Sequence, residues 1–366
     1  MEGSNKSASG ETDKDVYIDF WGVWANDNYR AMYWQEKASE FREAYEAETG
    51  ISVAFEYYGQ GTVCAVPAGR SYMVTIVNKN LLEQAGHTVD ELADWTWDDF
   101  YQIVKDISAL GDDIYGLAQY WDEDAWTWES GLYSNGGSVD NEDGTQIVFN
   151  TENGTPILNL NVKMMNEGIS RSFYNDYAFT DITDAIYPMF GEGKLGIYHG
   201  SITSYSACRD YRDELGNDFE IVVAKQPAGS AGFSVVTGGS NMMIMDSATE
   251  TQKQVAAAFF EFLAQPENVA GWNETSGYMA FTDSVVDDAA FAETTSNDPN
   301  LMNIYQFAED AHARPTTPYW QDMYSNILMP DIVDMCQNPQ NYDEAAIDAM
   351  VDKWAAACQK IIDEGV

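Results

Sequence analysis

Few residues of this chain stand at spacings that could do covalent or metal chemistry. His87, His199 and His312 are its three histidines, and none lies four residues from another, or beside a cysteine or carboxylate, in a ligand-like spacing. The G-x-S-x-G elbow, the P-loop and a strand-linked G-x-G-x-x-G are absent, and Gly59-Gln60-Gly61 lacks the rest of a dinucleotide fingerprint. The acidic run Val139 to Asn150 places Asp140, Glu142 and Asp143 before Gly144. That order fails the alternating pattern of a calcium loop and reads as a solvated β-hairpin turn. Two placed carboxylates would suffice for glycoside hydrolysis, and 60 acidic residues make such a pair available by composition alone. A carbohydrate-active enzyme therefore stays open as an alternative, while no metal and no cofactor is expected.

The residues that do suggest a function are aromatic. The chain has 11 Trp and 22 Tyr, several at predicted strand ends and loops. A sugar ring offers a flat C–H face rimmed by hydroxyls, which suits an aromatic plane flanked by amides, carboxylates or guanidinium groups. Trp21, Trp24, Asn26 and Asp27 leave the first predicted strand at its carboxyl end, where α/β sheets place ligands. Trp24 and Asp27 are candidate ligand contacts; Trp21 reads equally well as core.

These residues need a scaffold, and the periodicity supplies an α/β one. Val16 to Trp21 and Ile51 to Tyr58 read as strands around a helix, Tyr33 to Thr49. Between Ser234 and Phe281, Gly238, Gly239 and Ser240 precede an apolar strand, Met242 to Met245. Ser247 and Glu250 then form an S-x-x-E capping box, and Val255, Phe259, Phe262 and Leu263 recur at helical spacing up to Pro266. Gly277 and Tyr278 end a second, short helix. Gly239 can bring its amide to a ligand, or simply form a tight strand entrance. Further helices are expected at Thr155 to Glu167 and Asp184 to Phe190, and strands at Leu195 to Tyr198 and Phe219 to Ala224.

This order resembles the extracellular solute-binding proteins of ABC importers, in the carbohydrate-type branch that includes maltodextrin, oligosaccharide and glycerol phosphate binders. The most specific stretch is YMVTIVNKNLLEQAG, Tyr72 to Gly86, followed by DWTWDDF, Asp94 to Phe100. FGEGKLGIYHG, Phe190 to Gly200, and the helix ending at Gly168 match as well. The resemblance covers most of the chain from Val16 onward. It implies a two-lobe periplasmic-binding-protein-like α/β fold with a hinge and an interlobe cleft. The implied segments are 16–112 and 236–285 for lobe 1, and 113–235 and 286–366 for lobe 2, with residues 1–15 as a polar disordered tether.

The resemblance also assigns site residues. Arg70 and Tyr72 follow Pro67 on a cleft-lining segment; Trp126 and Trp128 match a second-lobe aromatic element. Those two tryptophans share a face only if the segment is extended, and on a helix one of them becomes core. Tyr278, in Ser-Gly-Tyr, matches a loop that presents a tyrosine to ligand, with core packing as the alternative. Tyr319 or Trp320, in RPTTPYW, matches a late loop with a stacking aromatic. Glycerol phosphate binders tend to carry an arginine there, and Arg314 lies upstream of the matching positions, which favours a neutral sugar over an anion. One segment departs from the family: after Val63 a helix–strand–helix stretch is missing, so the first lobe is expected to be shortened and its sheet edges unpaired.

Charge bounds the partners. With 18 basic residues against 60 acidic, the net charge is −42, which argues against nucleic acid and anionic membrane surfaces and fits an acidic, solvated exterior. No stretch approaches the roughly 20 apolar residues of a membrane span. By resemblance, Met1 stands where a removed signal sequence and lipid-modified cysteine would be, placing the protein lipid-anchored on the extracellular face or in a periplasm. Cys64, Cys208, Cys336 and Cys358 show no C-x-x-C spacing; buried thiols are the default, with a Cys336–Cys358 disulfide open in an exported protein. The expected role is thus the sugar-binding component of an ABC importer, a monomer that closes on a carbohydrate and docks to permease subunits. The alternatives are a glycerol phosphate or other small polar solute binder, an enzyme, or a truncated variant that no longer binds.

Overall fold

The computed structural model describes residues 16–22, 29–49, 53–59, 65–119, 126–178, 181–245, 247–279, 292, 296–308, 311–312, 314–315, 317 and 319–365. In chain order the elements are β1 (Val16–Gly22), α1 (Tyr29–Thr49), β2 (Val53–Gly59), β3 (Ala65–Asn78), α2 (Lys79–Gln84), α3 (Trp97–Ser108), β4 (Tyr115–Gln119) and α4 (Trp126–Ser134). Next come α5 (Pro156–Asn166), β5 (Ser170–Ser172), α6 (Thr183–Gly191), β6 (Leu195–Ser201), α7 (Ile202–Glu214), β7 (Ile221–Ala224) and β8 (Val235–Met243). The chain continues with α8 (Glu250–Leu263), α9 (Pro266–Ser276), α10 (Pro299–Phe307) and β9 (Ala311–His312). It ends with α11 (Trp320–Met323), a π-helical turn (Tyr324–Leu328), α12 (Met329–Gln337) and α13 (Glu344–Glu364).

Two compact units share this chain: residues 1–70 with 239–297, and residues 71–238 with 298–366. The first boundary therefore falls inside β3, between Arg70 and Ser71, and not near residue 112 as expected. The reason is packing. Val77, Leu81, Leu92, Trp95, Phe100, Ile103 and Val104 share one core with Leu117, Met164 and Ile197, which ties residues 71–112 to the second unit.

In the first unit, β1 and β2 pair in parallel, Val16 opposite Val53, around the crossover helix α1. Tyr33, Ala38 and Phe41 of α1 pack with Val53 and with Val255, Phe259, Leu263 and Trp272 from α8 and α9. The Tyr33 hydroxyl donates to Asn268 O at 2.6 Å. The capping box of α8 sits two residues later than expected. Thr249 Oγ1 accepts from Gln252 N at 3.3 Å, and Gln252 Oε1 accepts from Thr249 N at 2.9 Å. Glu250 is the first helical residue, too early to reach back over the first turn, which is the geometry a capping box needs.

In the second unit the strand order is β5-β4-β6-β3-β8-β9, with β7 also on β3. Strand β3 runs antiparallel to β6 and β7, while β4 runs parallel to β5 and β6, so the sheet is mixed. Helix α3 opens within DWTWDDF with a capping box that the sequence reading did not single out: Thr96 N donates to Asp99 Oδ2 at 2.9 Å and Asp99 N to Thr96 Oγ1 at 3.3 Å. Its apolar stripe, Phe100, Ile103, Val104 and Ile107, then lies on Val77, Leu117 and Ile197.

Two side-chain-free positions fix how strands and rings approach. Gly239 holds φ +121°, and a Cβ there would lie 2.0 Å from Gly69 O. A Cβ on Gly238 would lie 1.6 Å from the Trp126 ring. Urea unfolding should therefore show Gly238→Ala and Gly239→Ala each less stable by about 1–3 kcal/mol, the usual cost of overpacking; an unchanged midpoint would mean that strand and ring move apart freely.

His87 supplies a pH-dependent contact on α2's C-terminal side. Partial burial would lower its pKa, but hydrogen bonds to Glu91 (2.8 Å) and Asp106 (3.0 Å) outweigh that and raise it above 6.5. The two carboxyl groups are lowered in turn, Glu91 chiefly by His87 and Asp106 chiefly by Gln102. A raised imidazolium pKa adds stability that is complete below about 6.5 and fades as pH rises through the folded value. The lowered carboxylates add stability above about 4 that fades on acidification. His87→Gln should accordingly lose stability relative to wild type at pH 6 and approach it at pH 9. The difference should be about 0.5–1 kcal/mol for so exposed a cluster, read by denaturation at both pH values.

Candidate functional site

In the first unit, the expected Tyr278 loop is held by its own backbone. Gly277 caps α9 with φ +71°, a left-handed turn that ends the helix. Tyr278 N donates to Ser276 Oγ at 3.1 Å, Ser276 Oγ donates to Trp272 O at 2.6 Å, and Asn273 Nδ2 donates to Tyr278 O. Met279 N then bonds Arg70 O at 3.0 Å, so the loop is clamped to the last residue of this unit's part of β3. The Tyr278 ring stacks on Trp272 at 6.0 Å and 27°, and lies so close over Gly69 that a Cβ there would meet it at 2.7 Å. At 8% exposure Tyr278 is part of the core, the alternative left open for it. Arg70 beside it is exposed.

The second unit arranges the other expected residues. Residues 126–134 form a helix, so Trp126 and Trp128 point apart. Trp126 packs with Met73 and Val236 and across Gly238. Trp128 is fully buried: its Nε1 donates to Gly154 O at 2.8 Å, and its ring meets Phe149, Trp354 and Trp320 at 5.0, 6.0 and 6.4 Å. Trp320, expected to stack on sugar, instead stacks on Trp128 at 25°. Both are corrected to core residues, because an indole at either position completes one aromatic cluster. Tyr72 is corrected likewise: it is 1% exposed and its hydroxyl donates to Ile304 O. Burial, chiefly, pushes its pKa well above the usual tyrosine value. Tyr319 is half-buried where the chain enters α11. Gly239 lies inside β8, which starts at Val235 and not after the glycines as expected, and its missing side chain lets it approach the Gly69 backbone; Trp24 and Asp27 lie outside the described residues.

One feature escaped the sequence. Glu129, wholly buried on α4, forms an ion pair with Arg314 at 3.1 Å. Burial, and next the Glu129 charge, pushes Tyr133 one turn away up to about 12. The arginine of the RPTTPYW loop is thus neutralised from within its own unit. Only the W-T-W-E spacing on a helix could have signalled it, by placing Glu129 on the buried side.

For the remaining chemistry, His199 is buried and bonded through Nδ1 to Thr75 Oγ1 at 3.0 Å, while His312 stacks on Tyr133 at 6.0 Å. Cys336 and Cys358 are free and buried, as is Cys208, so the disulfide left open between them is not formed. Among the described residues no group of three His, Cys, Asp or Glu side chains could hold a metal ion, and no helix is long and apolar enough to cross a membrane.

Several known proteins are similar to this chain. The sn-glycerol-3-phosphate-binding periplasmic protein UgpB of Escherichia coli (strain K12) is 24% identical over 264 residues, covering 68% of this chain but 57% of that protein. Among solved structures, the cyclic alpha-maltosyl-1,6-maltose binding protein from Arthrobacter globiformis superposes with TM-score 0.69 at 18% identity over 95% of this chain and 99% of its own. The maltose-bound MalE3 of T. maritima gives 0.72 at 16% over 95% and 100%. UgpB from Mycobacterium tuberculosis, in complex with glycerophosphocholine, gives 0.67 at 16% over 92% and 98%. At these identities the structures establish a shared two-lobe α/β fold. The bacterial extracellular solute-binding protein profile matches residues 21–303, more than three quarters of the chain. The chain belongs to that family.

Proposed function

We propose that this protein is the substrate-binding component of an ABC importer, capturing a neutral sugar or oligosaccharide by closure of its two lobes and delivering it to membrane permease subunits. No bond is made or broken. The observation that carries the choice of ligand is the Glu129–Arg314 pair, which neutralises the loop arginine that a phosphate would recruit. The excess of acidic residues and the sugars named for the Arthrobacter and T. maritima neighbours support the same choice. A small neutral solute held by stacking and hydrogen bonds suits such a surface better than an anion does.

Arg70 and Tyr319, together with Trp24 and Asp27, contact the ligand under this reading. Tyr278, Gly239 and Trp126 hold the backbone from which those residues act. The first lobe is shortened after Val63, a view supported by the two-stranded sheet of β1 and β2. The protein works as a monomer outside the cytoplasm, lipid-anchored or periplasmic, without a nucleic-acid partner. A second reading, a glycerol phosphate binder, is favoured by the sequence match to UgpB.

Thermal unfolding in the presence of maltose, maltotriose, trehalose and sn-glycerol 3-phosphate separates these. A ligand at about 100 times its dissociation constant adds roughly 2.7 kcal/mol. A shift with a neutral sugar that is recovered unchanged is the expected result. A shift with the phosphate alone would transfer the assignment to the second reading, and a sugar cleaved during incubation would make the protein an enzyme. Tyr278→Phe should keep both wild-type stability and the sugar shift, whereas Tyr278→Ala should cost about 3–5 kcal/mol, as for other core aromatics. A lost sugar shift in Tyr278→Phe would place the hydroxyl on the ligand.

A further inference from the structure

Several polar atoms of the second unit are buried without a hydrogen-bonding partner: Ser130 Oγ, His199 Nε2, both side-chain heteroatoms of Gln226, and Ser234 Oγ. The residues are 0, 6, 2 and 5% exposed, respectively. Each belongs to a different segment, yet the segments meet. Trp97 touches three of them: α4, the strand of His199 and the segment that follows Gln226. Its Nε1 donates to Ser134 Oγ at 3.2 Å, one helical turn beyond Ser130 on α4. Its ring lies edge-on to His199 at 5.9 Å. Its N–H bonds Ala228 O at 3.3 Å, and Trp95 Nε1 bonds Lys225 O at 3.1 Å, which brackets Gln226 between two fixed points. Ser234 leads into β8, where Val236 packs with Met73 and with Trp126, the residue one turn before Ser130.

Orphaned buried polar groups are rare, because each one forfeits its hydration with nothing in return. Several on converging segments would consume much of a domain's net stability, so a guest must complete them. The chemistry of the set defines that guest. His199 Nδ1 is taken by Thr75, and burial holds the imidazole neutral, lowering its pKa to about 3. The four side chains are therefore all neutral, and an ion finds no counter-charge among them. Gln226 offers a donor and an acceptor together, and the serines offer both as well, so the guest must donate and accept. Nearly complete burial limits it to the smallest molecules. Water meets all three conditions and makes about three such bonds when buried.

We propose that Ser130, His199, Gln226 and Ser234 enclose an internal hydration site, a cluster of ordered waters that joins α4 to the sheet of the second unit. The cluster anchors the helix that carries Trp126 and Glu129, and goes beyond the assigned role of the protein as a sugar binder.

A crystal structure of the full chain at a resolution that places waters tests this without any substitution. The expected result is ordered water within hydrogen-bonding distance of at least three of the orphaned atoms. Direct pairing of those atoms with one another, or a dry site, overturns the proposal. In solution, oxygen-17 magnetic relaxation dispersion should count fewer long-lived internal waters in Gln226→Leu than in wild type; an unchanged count contradicts it. Should Gln226→Leu fail to fold, Ser130→Ala removes one partner with the least change of volume, and the same loss is expected.

Discussion

The close approach of side-chain-free backbone at Gly69, Gly238 and Gly239 is the constraint on which the rest of the structure depends. The chain passes between its two units within β3 and again within β8. Where it does so, a β-carbon at Gly239 would meet Gly69 O at 2.0 Å, and one at Gly238 would meet the Trp126 ring at 1.6 Å. Each glycine is thereby assigned a partner: Gly69 carries the Tyr278 ring, and Gly238 carries Trp126. Those two aromatic rings in turn position the helices next to them. Tyr278 stacks on Trp272 and locks the end of α9, and Trp126 orients α4, whose first turn also buries Trp128 and Glu129. A glycine pair that reads in sequence as room for a ligand is, in the folded chain, room for the Trp126 ring at Gly238 and for the Gly69 backbone at Gly239.

Charge is organised on the same principle. The protein is strongly acidic, yet a wholly buried carboxylate, Glu129, is matched to Arg314. Desolvating one partner without the other would be costly, so the pair binds α4 to the loop before α11 and cancels the positive charge of that loop. The aromatic cluster of Trp128, Phe149, Trp320 and Trp354 surrounds the same helix. Electrostatics and packing thus agree on one second-unit scaffold around α4.

Much of this was legible in the sequence. The strand–helix order and the end of α9 at Gly277 arise from local rules of periodicity and capping, and the structure has them. What misled was information that local rules do not carry. Tyr72, Trp128 and Trp320 look like ligand-stacking residues because an aromatic side chain serves a core and a sugar equally well, and only tertiary packing decides between them. The unit boundary was misplaced by about forty residues because α3 is amphipathic whichever lobe it covers. Ser247 and Glu250 have the right spacing for a cap, but the helix starts at Glu250, a shift set by Thr249. Trp24 and Asp27, the loop candidates after β1, lie outside the described residues.

The central claim is that this member of the extracellular solute-binding family takes an uncharged sugar and leaves it intact. Isothermal titration calorimetry of the full chain with a neutral malto-oligosaccharide, followed by chromatography of the recovered sugar, tests it most directly. The account predicts one saturable site per chain and complete recovery of the sugar. Heat with sn-glycerol 3-phosphate and none with any neutral sugar, or the appearance of shorter oligosaccharides, would contradict it.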